Sequence, residues 1–288
     1  MLKKWILKVF LQKTISLLPQ SHQLNYLLQR HVTHSLPISE AQFAQKALDA
    51  AEQVALFERF SGKKAAQSLW YEIGSGSDLS MALCFGIKHD IRLTATDLYP
   101  IAKISLINNN LARLWTSQPI TNLPELTQFN IQYAAPTDAQ QTDFEANTFD
   151  CITNTSVLEH IPAAALPAIF KEGYRVLKPN GLMICVIDMQ DHYSYTDSSI
   201  TYGHFLRYNN FVYNDLINSD IHYQNRLRYS QYKTLWKAAG FRTIYEDLAY
   251  PDAQTLAMLE TLPLAEPFKN FSREDKFAKT AWVVLQKQ

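Results

Sequence analysis

The chain has 288 residues, 47% hydrophobic and 19% charged, which suits a folded chain that buries a sizeable core. Its 27 Lys and Arg balance 27 Asp and Glu, so the formal net charge is zero; this argues against nucleic acid as a partner, because that affinity comes from clustered cations. Three cysteines, Cys84, Cys151 and Cys185, lie in apolar stretches without metal-ligand spacing, which excludes a disulfide framework and points to buried thiols in a cytoplasmic setting.

Residues 2 to about 66 read as helical, divided by Pro19 and Pro37 into three helices, the last near 39–60. The first carries Lys4, Lys8 and Gln12 on one stripe with Leu7, Phe10 and Leu11 beside it. Lys8 and Lys13 interrupt its apolar run and no small-residue cleavage site follows, so it does not read as a signal peptide. Two expectations follow for residues 1–18: a helix packed on the domain, or peripheral contact with an anionic membrane surface.

At Ser68 the pattern changes. Residues 68–85 predict a strand to Ile73, a tight turn with two glycines, and a helix capped by Asp78. Residues 91–97 form a second strand, followed by a helix from about Ile101 to Trp115. A short strand near 129–134 and a buried strand at 149–156 come next. A helix over 162–177 ends at the stop-and-turn cluster Lys178-Pro179-Asn180-Gly181, and a fifth strand spans 181–188. After an irregular stretch, 189–228, a helix near 229–239 closes at Gly240; residues 241–248 and 279–287 predict two edge strands, paired like a hairpin.

This alternation predicts an α/β, Rossmann-like, doubly wound, mostly parallel seven-stranded sheet with helices on both faces. The expected organisation is an N-terminal helical extension, 1–67, and a sheet domain, 68–288.

Open α/β sheets bind ligands beyond the carboxyl ends of their strands, so the residues just after each strand carry the information. Glu72-Ile73-Gly74-Ser75-Gly76 follows the first strand, and its glycines allow a sharp turn and a close backbone approach to a ligand. Asp97 ends the second, where a carboxylate can accept both hydroxyls of an adenosine ribose. Either a nicotinamide cofactor or S-adenosylmethionine fits that far. A dinucleotide fingerprint needs Gly or Ala at position 79, where this chain has Leu79. Asp78 also puts a negative charge where a pyrophosphate would sit, whereas a cationic sulfonium tolerates it.

Glu72-x-Gly74-x-Gly76, Asp97, Asp138-Ala139, SVLEHI (156–161) and RVLKPNG (175–181), in that order, resemble the motifs of class I S-adenosylmethionine-dependent methyltransferases, the last motif those of the small-molecule members. The resemblance covers residues 68–187. It implies that Gly74, Ser75 and Gly76 line the methionine part, Glu72 supports the loop and Asp97 holds the ribose. It also implies that Asp138 bonds the adenine amino group, that Leu98 and Ala139 flank the ring, and that Asn154 lies beside the amino-acid part. Asp78 departs from the pattern, which often has a third glycine there. The helical cap and aromatic insert are loosely similar to methyltransferases of bacterial surface-glycan clusters.

The insert 189–228 carries His192 and His204 among many tyrosines and phenylalanines. An irregular connection this long is usually functional, and so many aromatics argue against disorder. It is expected to form part of the acceptor site or a lid; the alternative is a flap whose tyrosines pack on the N-terminal helices. For methyl transfer to an oxygen or nitrogen of a small-molecule or glycan or lipid-linked acceptor, His192 is the first candidate base, with Asp191 as orienter or alternative base. Glu159-His160 reads as a pair that fixes its loop, with a direct catalytic role for His160 as the lesser reading. A divalent metal on Asp188, Asp191 and His192 is a further alternative, and the preferred reading has no metal. A nicotinamide-dependent oxidoreductase and a non-catalytic binding module are the competing functions.

Overall fold

The computed structural model describes residues 3–114 and 118–288. Three helices come first: α1 (Lys4–Ser16), α2 (Ser21–His31) and α3 (Glu40–Ser61). Ser39 starts α3 with a reciprocal cap, its hydroxyl accepting from Gln42 N while the Gln42 side chain accepts from Ser39 N. Gly62, in the left-handed region at φ 68°, ends it.

The sheet follows: β1 (Leu69–Ile73), β2 (Arg92–Thr96), β3 (Ile131–Ala134), β4 (Phe149–Thr155), β5 (Leu177–Asp188), β6 (Phe241–Ala249) and β7 (Thr280–Lys287), in spatial order β3-β2-β1-β4-β5-β7-β6. The first five strands run parallel; β7 pairs antiparallel with both β5 and β6. The expected antiparallel edge pair is present, but β7 enters between β5 and β6, and a long connection replaces the hairpin turn. The turn cluster ahead of β5 is absorbed into the strand, with Asn180 at φ 62° and a register shift opposite Phe149–Cys151.

The helices α4 (Ser80–Leu83), α5 (Ile104–Arg113), α6 (Leu166–Val176) and α7 (Tyr229–Ala238) cross between strands; α8 (Ala253–Glu260), α9 (Glu266–Lys269) and α10 (Arg273–Phe277) lie in the β6–β7 connection. The expected end of the α5 segment at Trp115 lies outside the described residues. The two apolar faces of the sheet bury separate cores. On one, α3, α4 and α5 pack over Trp70, Leu93 and Ile184, with the Phe57 ring 5.1 Å from Trp70. On the other, α6 and α7 cover Ile152, Met183 and Val283, with Trp236 fully buried. Burial of Phe57, 1% exposed, contributes roughly 2–3 kcal/mol. Polar contacts also fix α3, since the Gln53 amide donates to Thr155 Oγ1 and accepts from Thr153 Oγ1 inside the core. So α3 is a layer of the sheet domain, although sequence placed it with the extension.

The insert builds a third, smaller core with α1, in which Val9 meets Tyr193, Phe205, Tyr213 and Ile217. Short 3-10 turns at His192–Tyr195 and His204–Arg207 give it a fixed path. The three cysteines are buried and free. No described helix is long and apolar enough to cross a membrane.

Candidate active site

A cavity of about 370 Å³ opens where the sheet's winding reverses, beyond the carboxyl ends of β1, β2 and β4. Its walls come from Gly74, from Thr96–Tyr99, from Thr137–Gln140 and from Val157 and His160–Pro162. The loop after β1 turns on two left-handed glycines, Gly74 at φ 76° and Gly76 at φ 77°. At Gly74 a Cβ would stand 2.7 Å from Val157 Cγ1, so close approach as well as backbone conformation demands glycine there.

Asp97 is the anchor of this end. Its Oδ1 accepts from Gly76 N at 3.0 Å and its Oδ2 from the Tyr133 hydroxyl at 3.0 Å. Burial pushes its carboxyl up to about 6, against the pull of those two donors. Glu72, buried under the loop, is pushed up to about 7, first by burial, with the Ser75 hydroxyl pulling the other way. Leu98 and Tyr99 hold their apolar side chains out at the cavity, each more than half exposed. Asp138 turns in its own loop, accepting from Gln140 N at 2.9 Å, and lines the cavity with Ala139.

The expected cofactor residues therefore divide. Gly74, Asp97, Leu98, Asp138 and Ala139 meet at the cavity. Glu72, Ser75 and Gly76 lie behind it, shaping the loop. Asn154, expected beside the amino-acid part, is fully buried and does not line it; its Nδ2 meets Cys185 Sγ at 3.3 Å. Strand alternation explains this, because Asn154 shares the α6 face of β4 with Ile152. Asp78 does not cap a regular helix. Its Oδ1 accepts from Ser80 N, while Leu79 occupies the cap position at φ 49°, and α4 soon widens into a π-helical turn, Cys84–Lys88.

Several buried polar atoms at this end of the sheet lack a well-aligned hydrogen-bond partner: Glu72 Oε2, Ser75 Oγ, Asn154 Oδ1, Glu159 Oε2 and His192 Nε2. Orphaned polar atoms are costly in a core, and their concentration at this end of the sheet fits a polar, cationic ligand. Carboxylates raised by burial fit the same ligand, since a positive charge beside them favours ionisation.

His160 joins the cavity to a second polar cluster. One edge of its ring lines the cavity, and Nδ1 bonds the Tyr223 carbonyl at 2.7 Å. Burial and the neighbouring His192 hold it below the ordinary imidazole value. The His192 ring lies 4.9 Å from His160 and stacks on Tyr195 at 5.4 Å. Its Nε2 stands 3.2 Å from Asp188 Oδ2, an ion-pair contact without the alignment of a good hydrogen bond. Burial pushes the Asp188 carboxyl up, but His192, the Tyr195 hydroxyl and Gln190 N outweigh it and hold it below the usual carboxylate range.

Asp191 is corrected as the orienter of His192. It turns the other way, Oδ1 capping the 3-10 turn at Tyr193 N (2.9 Å) and Oδ2 lying 3.5 Å from His204 Nδ1. A residue just ahead of such a turn commits its side chain to the free backbone amides, and the carboxylate that meets the His192 ring is Asp188, four residues before it. Among the described residues, ligand atoms of Glu159, His160 and His192 lie within 4.8 Å of one another, a grouping wide enough to take a cation; the trio sequence suggested, with Asp188 and Asp191, does not come together. Burial raises the Glu159 carboxyl well above its usual range.

The aromatic residues of the insert divide between packing and the polar cluster. Tyr193 and Tyr213 pack in the core against α1, while Tyr195 and His192 face the Asp188 corner. Sequence reasoning missed His222, whose ring stands 6.1 Å from His192 and is held down to about 3, chiefly by burial. Its only cue was membership of the aromatic insert.

The sequence matches the family model described as a methyltransferase domain over residues 41–246. The chain belongs to the methyltransferase family. With its motif order and sheet, it is a class I, S-adenosylmethionine-dependent methyltransferase, and S-adenosylmethionine is its cofactor. This methyltransferase is similar in fold to geranyl diphosphate C-methyltransferase from Streptomyces coelicolor A3(2), with a TM-score of 0.51 and 12% identity over 83% of this chain and 76% of that one. A putative sarcosine dimethylglycine methyltransferase from Galdieria sulphuraria gives 0.49 and 14% over 85% and 86%. Phosphoethanolamine N-methyltransferase 2 from Haemonchus contortus gives 0.48 and 16% over 82% and 52%. No curated protein matches the chain.

Proposed function

We propose that this methyltransferase alkylates an oxygen or nitrogen atom of a small-molecule acceptor, including a glycan or lipid-linked one, in a cytoplasmic setting. The observation that carries the reading is the placement of His192 one ring beyond the cofactor cavity, backed by Asp188. The three buried thiols fit the compartment.

Gly74 would let the loop meet the methionine part closely, with Ser75 and Gly76 shaping it and Glu72 beneath. Asp97 would accept from the ribose hydroxyls; Asp138 would accept from the adenine amino group, with Leu98 and Ala139 against the ring. When bound, S-adenosylmethionine supplies a methyl group on a good leaving group, so positioning achieves much of the acceleration. The chain's own task is then to take the acceptor's proton as the new carbon–oxygen or carbon–nitrogen bond forms. His192 takes it at Nδ1, and Asp188 at Nε2 stabilises the imidazolium. Asp191 holds the turn that presents His192.

The test is calorimetric titration with S-adenosylhomocysteine and, in parallel, NADH. Micromolar binding of the first alone supports the reading and allows acceptors to be screened with a labelled methyl donor. A labelled methyl group on oxygen or nitrogen of the product sustains it; exclusive methylation of carbon sinks it.

A further inference from the structure

Charge is segregated along this neutral chain. The first 39 residues hold Lys3, Lys4, Lys8, Lys13 and Arg30 and no Asp or Glu, so the remainder carries 22 cations against 27 acids. The same segment bears an uncovered apolar face. Along α1, Ile6, Leu7, Phe10 and Leu11 recur every three or four residues, Leu17 and Leu18 follow seven residues beyond the last pair, and all six are exposed. Phe10 is 70% and Leu17 84% exposed, while Val9, Gln12 and Ile15 on the opposite face are buried.

We propose that this face docks on an anionic lipid bilayer. The combination is that of an interfacial helix: apolar side chains enter the headgroup boundary while cations meet anionic lipid. Lys3 and Lys4 are exposed, so their charge is free to act. A second copy is a poorer occupant, because a twofold interface would bring two acid-free, cationic segments together.

The inner face of α1 says what docking would do. Trp5 N donates to Asp197 Oδ2 at 3.0 Å, the Trp5 ring sits edge-on to His204 at 4.9 Å, and the Tyr193 hydroxyl donates to Gln12 Oε1 at 3.0 Å. Tyr193 is the residue after His192. The bilayer would thus lie one helix away from the segment that carries the acceptor-side base, which keeps a lipid-linked acceptor close to it. This deepens the proposed function and rests on it for the acceptor, but not for the docking itself.

The full-length protein is sedimented with vesicles of phosphatidylcholine alone and with vesicles containing about one third phosphatidylglycerol. Binding should need the anionic lipid and weaken at high salt. Phe10→Asp and Leu17→Asp should each lower the partition coefficient about tenfold or more. Both side chains are exposed, so circular dichroism and S-adenosylhomocysteine affinity should stay unchanged. Failure to bind anionic vesicles, or binding indifferent to both variants, overturns the proposal. So does a dimer in light scattering that Phe10→Asp dissolves, since a second copy would then own the face. Loss of S-adenosylhomocysteine binding in the parent protein would instead strike the proposed function.

Discussion

His192 Nε2 lies 3.2 Å from Asp188 Oδ2, the last residue of β5, so a sheet strand aims the carboxylate and the insert supplies the ring. Replacing His192 by Ala should cut turnover about 10²- to 10⁴-fold, the range for losing a general base, and leave S-adenosylhomocysteine affinity unchanged. Asp188→Asn should lower turnover by less and shift the pH profile. Unchanged turnover in the His192 variant would remove it from the mechanism.

Gly74 offers a sharper structural test. Gly74→Ala combines a left-handed backbone with a Cβ 2.7 Å from Val157. Cofactor affinity should fall at least about tenfold and stability by about 1–3 kcal/mol, read by calorimetry and denaturant unfolding. Adding Val157→Ala should restore part of the stability, because it relieves the contact and not the φ. Full restoration would show that backbone conformation is immaterial there.

Asp97 and Glu72 make a pH prediction. Both carboxyls are raised in the fold, to about 6 and about 7, so the folded state holds protons that the unfolded chain releases near pH 4. The ligand-free protein should therefore lose stability, on the order of 2–3 kcal/mol for each carboxyl, as pH rises from about 4 to about 7. Cofactor affinity should move the opposite way and strengthen over that interval, because the cationic ligand favours ionised carboxyls. Asp97→Asn should flatten the stability slope and weaken binding. A slope of the other sign, measured by unfolding at fixed pH steps, would contradict the burial argument.

Treatment with a chelator addresses the Glu159, His160 and His192 grouping. With His192 acting as the base, turnover should survive removal of divalent ions. Loss of activity that Mn²⁺ restores would make His192 a ligand and move acceptor activation to the cation.

Legibility in the sequence followed the physics of each part. Strand–helix alternation, Asp97 and the two glycines are local signals, because a turn or strand end constrains its own residues. The position of β7 was not legible, since pairing between distant strands leaves no periodic trace in either. Asp191 looked a better partner for His192 than Asp188 because adjacency in sequence was the only ruler. The cap it forms at Tyr193 N reverses its direction. For Asn154 the strand end was legible, but the face it shows depends on a register fixed by β5. Within the insert, composition signalled importance without saying which aromatic would pack and which would stand at the site.

The position of β7 bears on how the chain assembles. The seventh strand in sequence, it lies inside the sheet, and β6 reaches β5 only through it. During synthesis the β5 edge, above the Asp188 corner, stays open until β7 emerges. The nascent sheet is therefore incomplete, and exposed to edge-to-edge association, until β7 has been made.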